Sequence, residues 1–415
     1  MTFARNKRLF LAAPVVALAW MGTAAAADFT FENLRIQQPG KDGTVTIKSI
    51  DVKGSNLSRE EFARLTESST PQQEAIGLIK KLQAERISIP EIMLSGKGDT
   101  PGAIYFRGYE VTKINQGRFA RFAMAGMEGK FIPEKDGGEV SLKSGPLVIE
   151  DGDFAKLIDA AIAGNLIDAT ARVGKMDFRD FEFSFPEKGP AGPLIHSFRI
   201  GSITASATYQ GELPLKSAAE VRNIVYIPAA QSSAASGMAE FGYNQVNAGI
   251  RGEGLYNPAT KGYDLTDFSM SGINVGVLSL KGLFGSIGPE AFTGTQMARL
   301  GALMASDISN LSLRYADNGL FEKALVFYAK MNGKDATAVR TEWAGMVTGL
   351  LPMVMGGDAG GLKLASALAE FIKSPKSLTI SLKGKAGPVR IADLQQITDP
   401  GELIKKIEID ASANK

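Results

Sequence analysis

The only histidine in the chain is His196, which lies in the segment Gly192–Phe198 at the entry of a predicted strand. A histidine beside a serine could act as the general base for a hydroxyl nucleophile, either Ser197 or a distant serine. The nucleophile motif of α/β-hydrolases is Gly-x-Ser-x-Gly, and the nearest approach to it, at 285–288, has the wrong spacing. We therefore interpret His196 as a turn or strand-edge histidine.

Carboxylates occur in two places where they could do chemistry. Asp177, Asp180 and Glu182 alternate with apolar residues, and a pair of carboxylates is what glycoside hydrolysis requires. The alternation places them on the polar face of a strand, so a solvated face is the favoured interpretation. Asp151 and Asp153 could indicate calcium, but no EF-hand loop follows them, and a helix cap explains Asp153.

Phosphate-binding loops are absent from the sequence, because Gly333-Lys334-Asp335 lacks the upstream glycine and the Ser or Thr of a P-loop. One segment interleaves basic and aromatic residues, a pattern that could bind nucleic acid or lipid headgroups. It contains Arg118, Phe119, Arg121, Phe122, Lys130 and Phe131. A strand edge with basic gatekeeper residues is the favoured interpretation.

The composition excludes several classes of site. With no cysteine and one histidine, the chain can form no disulfide, no thiolate metal site and no multi-histidine metal site. Its 44% hydrophobic and 22% charged residues are typical of a globular protein. We expect a protein without enzymatic activity, cofactor or metal.

The first 27 residues match a secretory signal peptide. A basic segment with Arg5, Lys7 and Arg8 precedes an apolar run from Leu9 to Met21, and Ala25-Ala-Ala27 offers a cleavage site. The run is too short to span a bilayer of about 30 Å. We expect cleavage and a periplasmic protein, the alternative being an uncleaved membrane anchor.

The chain after the predicted cleavage site is nearly neutral. Removal of three of the 46 basic residues leaves 43 against 44 acidic ones, which argues against nucleic acid as a partner. The longest later apolar stretch, Trp343–Met355, is short and is interrupted by two glycines and a proline. We therefore expect no transmembrane segment after signal cleavage.

A recurring spacing of apolar residues, Φ-x-Φ-x-x-Φ-x-Φ, organises the chain after position 28. Alternation places one face of a strand in a core, and a β-bulge can absorb the extra middle residue so that the apolar set stays on one side. Bulged strands bend, so a strongly curved sheet is expected. The matches are 29–36, 45–52, 87–94, 104–111, 176–183, 198–205 and 263–270.

Most of these strands pair across Gly/Pro-rich turns, which predicts repeated hairpins followed by helices. A fourth hairpin joins Val246–Leu255 to 263–270, with a further strand over Val275–Leu280. Interspersed helices are predicted from a capping box at Ser58 and over Pro71–Ala84, Phe154–Ala163, Leu215–Ile224 and Pro289–Ala305. The C-terminal part predicts helices over Leu320–Lys330, Ala336–Leu351 and Leu362–Ile372, and strands over Leu378–Leu382 and Ile407–Ile409.

These elements predict an α+β fold: a strongly curved antiparallel sheet of repeated bulged hairpins, interspersed helices and a C-terminal helical hairpin. The predicted regions are the signal peptide at 1–27, two hairpin and helix repeat regions at 28–165 and 166–305, and the helical hairpin with short strands at 306–415.

The apolar strand face is rich in phenylalanine and methionine, and such a face could hold acyl chains. The alternative is that helices cover it and form a dry core. The candidate lipid-binding residues are Phe106, Tyr109, Phe178, Phe181, Phe183, Phe268 and Met270.

The repeated spacing, with the segments Leu255–Leu265, Val275–Gly282 and Leu311–Leu320, resembles the repeats of AsmA-type proteins and of uncharacterised proteobacterial periplasmic proteins. The resemblance covers residues 29–315 and implies a β-rich envelope protein with an elongated apolar groove for lipids. AsmA-type proteins usually keep an N-terminal anchor and are longer than this chain. No functional residue is carried over.

Three functions follow as hypotheses. The first is a non-enzymatic periplasmic protein that binds lipid or another hydrophobic ligand along the apolar sheet face. The second is a structural scaffold of the cell envelope that binds a protein partner through sheet edges. The third is an atypical hydrolase using His196.

Overall fold

The computed structural model describes residues 26–37, 43–67, 69–96, 101–133, 138–155, 158, 171–190, 192–395, 397 and 400–415. The predicted α+β fold class is confirmed, since the described residues form 18 antiparallel strands and ten helices. All but the last two residues of the predicted signal peptide lie outside the described residues. The chain divides into two compact units, one ending at Ser206 and one beginning at Ala207. The three-region division at 165/166 and 305/306 stays a prediction.

Unit 1 is built from β-hairpins, and two helices lie between its first hairpin and its second hairpin in the sequence. Its strands are β1 (Ala27–Gln37), β2 (Gly43–Ser55), β3 (Gln83–Gly96), β4 (Gly102–Asn115), β5 (Arg118–Met124), β6 (Gly126–Phe131), β7 (Val140–Ser144), β8 (Leu147–Asp153), β9 (Arg172–Gly189) and β10 (Gly192–Gln210), whose last four residues belong to unit 2. Its described helices are α1 (Arg59–Thr66) and α2 (Gln72–Lys81). The three predicted hairpins β1–β2, β3–β4 and β9–β10 are confirmed by antiparallel pairing.

The extra residue of the Φ-x-Φ-x-x-Φ-x-Φ spacing occurs at facing positions in neighbouring strands of unit 1. Because both partners carry it, the register continues unchanged across it, and the extra residue that the sequence assigned to a β-bulge is absorbed in both strands. We call these positions the step row. It comprises Glu32-Asn33, Lys48-Ser49, Pro90-Glu91, Arg107-Gly108, Ala125 between β5 and β6, Gly145-Pro146 between β7 and β8, Arg179-Asp180 and Gly201-Ser202.

Left-handed backbone at three positions of the step row lets the flanking apolar residues stay on one face. Asn33, Gly108 and Asp180 have φ of 53°, 64° and 53°. Asn, Asp and Gly are the residues that adopt this conformation most readily. At Gly108 a side chain would also bring its Cβ to 2.7 Å from the Cβ of Ala125, so this position requires glycine.

One hydrophobic core fills unit 1 on the apolar face of its first strands. It contains 26 buried residues, including Phe62 of α1 and Leu78 of α2. The Phe62 ring packs against Phe29 and Phe31 at centroid distances of 4.7 and 5.0 Å. The predicted capping box starts α1, since the Ser58 hydroxyl accepts from the Glu61 N–H at 3.2 Å. Two short helices therefore cover this end of the sheet face.

Unit 2 consists of a strand meander followed by a helical hairpin. Its strands are β11 (Leu213–Ile227), β12 (Val246–Asn257), β13 (Gly262–Gly272), β14 (Gly276–Gly285), β15 (Asp307–Asp317), β16 (Ser377–Gly384), β17 (Val389–Arg390) and β18 (Ile407–Ala413). Its described helices are α3 (Ser233–Glu240), α4 (Glu290–Thr293), α5 (Gln296–Met304), α6 (Leu320–Met331), α7 (Ala336–Val354), α8 (Ala359–Lys373), α9 (Ile391–Gln395) and α10 (Pro400–Lys406).

The helix predicted over Leu215–Ile224 is wrong, because this segment is part of strand β11 and pairs with β12. The residues Ala218, Ala219 and Glu220 favour a helix by intrinsic propensity. Tertiary pairing overrides that propensity here. A bulge at Asn223, with φ of 54° and a register shift against β12, keeps the inward-facing residues on one side.

The C-terminal helical hairpin is confirmed as α7 and α8. Asp335 caps α7 by accepting hydrogen bonds from the N–H groups of Thr337 and Ala338. Helix α8 packs on β18 and β16, where Phe371 lies among Tyr315, Leu378 and Ala411. The cores of unit 2 are small, with three clusters of four, three and three buried residues.

Candidate functional site

Two predicted lipid-binding residues, Phe106 and Tyr109 on β4, lie in the core of unit 1. Their exposed fractions are 7% and 3%. The Tyr109 ring lies 6.2 Å from that of Phe106 and 5.5 Å from that of Phe122. Burial raises the pKa of the Tyr109 hydroxyl, which is therefore neutral at physiological pH. These side chains fill space inside the protein in this structure.

The predicted residues Phe178, Phe181 and Phe183 lie on β9, on the same face of unit 1, and are half-buried. Phe178 is opposite Leu147 of β8, and Phe183 is opposite Leu142 of β7. Phe183 packs against the edge of the unit 1 core. The burial of the face thus decreases from the first strands toward β9.

The remaining two predicted residues, Phe268 and Met270 on β13 of unit 2, are exposed. Their exposed fractions are 37% and 46%. They are separated by one residue, so both side chains are on the same face of the strand. They belong to a larger apolar surface.

That surface, which we call the open apolar face, consists of two rows of side chains that cross β11 to β15. Directly opposed residues of antiparallel strands share a face, so the pairing register defines the rows. The first row is Val221, Ile250, Met270, Leu278 and Tyr315, and the second is Ala219, Gly252, Phe268, Leu280 and Leu313.

Apolar side chains on the open apolar face remain accessible to solvent. Ile250, Leu278 and Leu313 are 37% to 39% exposed, comparable to Phe268. At about 4.8 Å between strands, five strands give the face a width of about 19 Å. Monomeric soluble proteins rarely leave contiguous apolar patches of this kind uncovered, and such patches commonly mark binding sites.

Helix α8 covers the same rows where they continue beyond β15. Tyr315 is opposite Leu378, and Leu378 is opposite Ala413. All three pack against Phe371 of α8 or its neighbours, with the Tyr315 and Phe371 rings 6.0 Å apart. The face is therefore covered at one side and open across β12 to β14.

Short helix α4 bounds the face at one end of its strands. The Phe292 ring lies 4.6 Å from that of Tyr256 and 6.4 Å from that of Tyr263. The Tyr256 hydroxyl donates to the Ile287 carbonyl at 2.9 Å. Burial, and secondarily the Glu290 carboxylate, raises the pKa of Tyr256, so this hydroxyl remains a donor at neutral pH.

The opposite face of the same strands is polar. Arg251 contacts Glu253 and Asp267, both at 3.2 Å, and Lys216 contacts Glu253 at 3.3 Å. Hydrogen bonds from Arg251 and Lys216 hold the pKa of Glu253 below its usual range. The strands of unit 2 thus separate a charged side from an apolar side.

The sequence prediction missed Ile250, Leu278, Leu313 and Gly252 as members of this surface. The predicted fourth hairpin places Val246–Leu255 beside 263–270, as the pairing of β12 with β13 confirms, but the sequence does not define the register of that pairing. Which residues face each other across these strands depends on the order of the meander. It also depends on the bulges, which shift the register by one residue on both sides of β13.

The residues that could do chemistry are engaged in the polar structure. His196 is buried, its Nε2 lies 2.8 Å from a Glu187 carboxylate oxygen, and its ring stacks on Phe185 at 5.0 Å. The Arg179 guanidinium donates to Asp177 at 2.8 and 2.9 Å and lowers the pKa of that carboxyl. These contacts give the side chains structural partners.

The interleaved basic and aromatic segment divides between two sides of a strand. Phe119 and Phe122 are buried in the unit 1 core. Arg118 pairs with Asp153 at 2.8 Å, and Arg121 pairs with Glu110 at 3.5 Å. Basic side chains alternating with core residues on a strand account for this pattern.

Two further observations apply to the described part of the chain. No helix in it has the length and apolar character to cross a membrane. No three acidic or imidazole side chains within it come together as metal ligands.

Comparison with known proteins gives one match. A family model described only as an uncharacterized protein matches residues 269–414, which extend from the middle of β13 to the end of β18. No curated protein and no solved structure matches the chain. The matched segment contains the C-terminal helical hairpin and the strands β14 and β15 of the open apolar face.

Proposed function

We propose that this protein is a non-enzymatic periplasmic protein that binds the acyl chain of a lipid, or another hydrophobic ligand, on the open apolar face. The observation that carries the proposal is the two-row surface across β11 to β15, on which five aliphatic or aromatic side chains are at least 37% exposed. The predicted signal peptide and the resemblance to AsmA-type repeats support the periplasmic part of the proposal.

The chemistry of the face suits an apolar chain. Met270 and Leu278 are flexible aliphatic side chains, and Phe268 offers a flat ring. Gly252 leaves a gap in the second row, because a Cβ there would have only the Phe268 ring as a neighbour, at 3.9 Å. A chain lying along the rows would bury apolar surface without needing hydrogen bonds.

Lipid extraction and mass spectrometry of the purified protein, with displacement of a fluorescent fatty acid, tests the proposal. Met270→Lys places a charge on the open apolar face, so we expect the fatty acid to bind about tenfold more weakly or worse. Ser269→Lys is the matched control, because Ser269 is the adjacent residue and its side chain is on the polar face. We expect this variant to bind like the wild type.

A protein that purifies without lipid and binds no fatty acid would contradict the proposal and favour the scaffold hypothesis. Equal weakening by Met270→Lys and Ser269→Lys, with unchanged thermal stability, would also contradict it, because binding would then not depend on the apolar side.

A further inference from the structure

The second half of α7 exposes an apolar stripe. Met346, Leu350, Met353 and Val354 are 45%, 55%, 76% and 56% exposed. Their spacing of four, three and one residues places them on one side of a helix. No charged residue occurs between Trp343 and Gly357. We call these four side chains the α7 stripe.

The α7 stripe lies C-terminal to the residues of α7 that pack on α6, and it continues the side of the helix that carries Val339 and Trp343. Val339 packs with Leu325 of α6 in the first turn of α7, and Leu351, about 100° around the helix from Leu350, packs against the cluster around Ile404. The helix hairpin is thus held together by other residues. Helix α8 carries an exposed charged side chain, Lys363, which pairs with Asp410 at 2.9 Å.

Helix α8 also exposes an apolar side chain. Leu362 is 53% exposed. It lines a groove of about 360 Å³ together with Pro352 and Ala365, and with Glu370 and Lys373 at its charged part. Side chains of both signs at this groove imply little net attraction to an anion.

The size and polarity of this surface favour a lipid bilayer over a second copy of the chain. A stable protein interface takes roughly 20–30 residues a side and about ten hydrogen bonds. The α7 stripe offers four side chains, and the Thr348 hydroxyl on the same helix already donates within the helix at 3.0 Å. The acyl region of a bilayer requires neither hydrogen bonds nor shape complementarity.

An aromatic pair is positioned at the border of the stripe. Trp343 is three residues before Met346 and therefore continues its side of the helix. Its ring lies 5.1 Å from that of Tyr328, which is 40% exposed. Tryptophan and tyrosine are the residues that settle at the headgroup level of a bilayer.

We propose that the α7 stripe inserts into the surface of a lipid bilayer, with Trp343 and Tyr328 at headgroup level. The helix lies in the plane of the surface, as an interfacial helix does. Because the apolar side chains dominate and the nearby charges compensate one another, attachment depends weakly on salt. This surface is distinct from the open apolar face, and the proposal does not rest on the function proposed above.

The test uses the full chain with Trp20→Phe, which leaves Trp343 as its only tryptophan. The probe is vesicles of phosphatidylethanolamine and phosphatidylglycerol that carry brominated acyl chains, which quench nearby tryptophan. We expect Trp343 emission to shift to shorter wavelength and to be quenched. The local readout separates the α7 stripe from membrane binding by the N-terminal apolar run.

Leu350→Lys with Met353→Lys should reduce the vesicle affinity measured by quenching by about tenfold or more. Met297→Lys on α5 is the matched control, because Met297 is 75% exposed and Met353 is 76% exposed. We expect the control to retain quenching, as should Met270→Lys on the open apolar face.

Unquenched Trp343 in the parent chain would overturn the proposal, as would equal loss of quenching in Met297→Lys. Analytical ultracentrifugation without lipid tests the alternative that a second copy of the chain covers the α7 stripe. A dimer that Leu350→Lys with Met353→Lys converts to a monomer, with no quenching by vesicles, would assign the stripe to a second copy of the chain.

Discussion

Gly252 is the smallest residue of the open apolar face and faces Phe268 across two paired strands. The added Cβ of a larger residue would meet only the Phe268 ring, at 3.9 Å, so the backbone has room for it. Gly254, two residues along the same strand, differs, because a Cβ there would overlap the Tyr263 ring and hydroxyl. A larger residue therefore fits sterically at position 252 but not at position 254.

We predict that Gly252→Val weakens fatty acid binding without loss of stability, because the new side chain fills the gap in the second row. Removing a strand glycine should raise the thermal midpoint or leave it unchanged. Fatty acid titration and thermal denaturation measure the two effects. Gly254→Val is the contrasting variant and should lower the midpoint; stronger binding by Gly252→Val would contradict the assignment of the gap.

Sequence reasoning found the residue types of the site and only part of its location. Phe268 and Met270 were selected together with Phe106 and Tyr109, because all four match the same spacing. The spacing predicts the apolar face of a strand, but Phe106 and Tyr109 are buried in the core of unit 1, whereas Phe268 and Met270 stay exposed. Which part of a face is covered depends on contacts far apart in the sequence.

At the scale of elements, the step row shows why the Φ-x-Φ-x-x-Φ-x-Φ spacing recurs. On β4 the buried residues Ile104, Phe106, Tyr109, Val111 and Ile114 follow a five-residue period of alternate spacings two and three. Each spacing of three is a step, and left-handed backbone at Gly108 and Lys113 occurs there. The five-residue period therefore predicts both that the segment is a strand and where its steps occur.

We predict that Asp180→Val destabilises the protein by roughly 1–2 kcal/mol, because a β-branched residue is strained at the φ of 53° found there. Asp180→Gly should be neutral or stabilising for the same reason. Urea denaturation followed by circular dichroism measures both. Glu182→Val, at an exposed position two residues along β9, controls for β-propensity and charge and should change stability by about 0.5 kcal/mol or less.

The spacing did not lead to the correct element at Leu215–Ile224, where a helix was predicted and a strand is found. Ala219, Val221, Ile224 and Tyr226 match the strand spacing with Val225 as an apolar interruption, so the signal was present. The helix propensity of Ala218, Ala219 and Glu220 favoured a helix over this strand signal in the sequence prediction. The bulge at Asn223 and pairing with β12 decide the outcome, and neither can be read from the segment alone.

At the scale of the whole molecule, the described residues of the two units form cores of different size. Unit 1 has one core of 26 buried residues, whereas the three clusters of unit 2 contain ten together. Regions with few buried apolar contacts open more readily. Apolar strand residues that unit 1 buries are left accessible in unit 2, which is the property a binding surface needs.

We predict faster amide hydrogen exchange in β12, β13 and β14 than in β2, β3 and β4, and slower exchange in the former group when a fatty acid is bound. A ligand that binds the folded state stabilises the region it contacts. Exchange followed by mass spectrometry of peptides resolves both groups. Equal exchange in the two groups, or protection by ligand confined to β2–β4, would contradict the placement of the site.

The step row has an evolutionary consequence. Since the long strands of unit 1 carry their steps opposite those of their neighbours, losing one residue from such a strand would turn half of its side chains to the wrong side. Such a sheet cannot tolerate single-residue insertions or deletions within strands, but whole hairpins can be duplicated and still fit. Proteins that share ancestry with this fold should therefore differ in the number of hairpins and in the length of the turns. The number of residues between each turn and the nearest step should stay constant within each lineage.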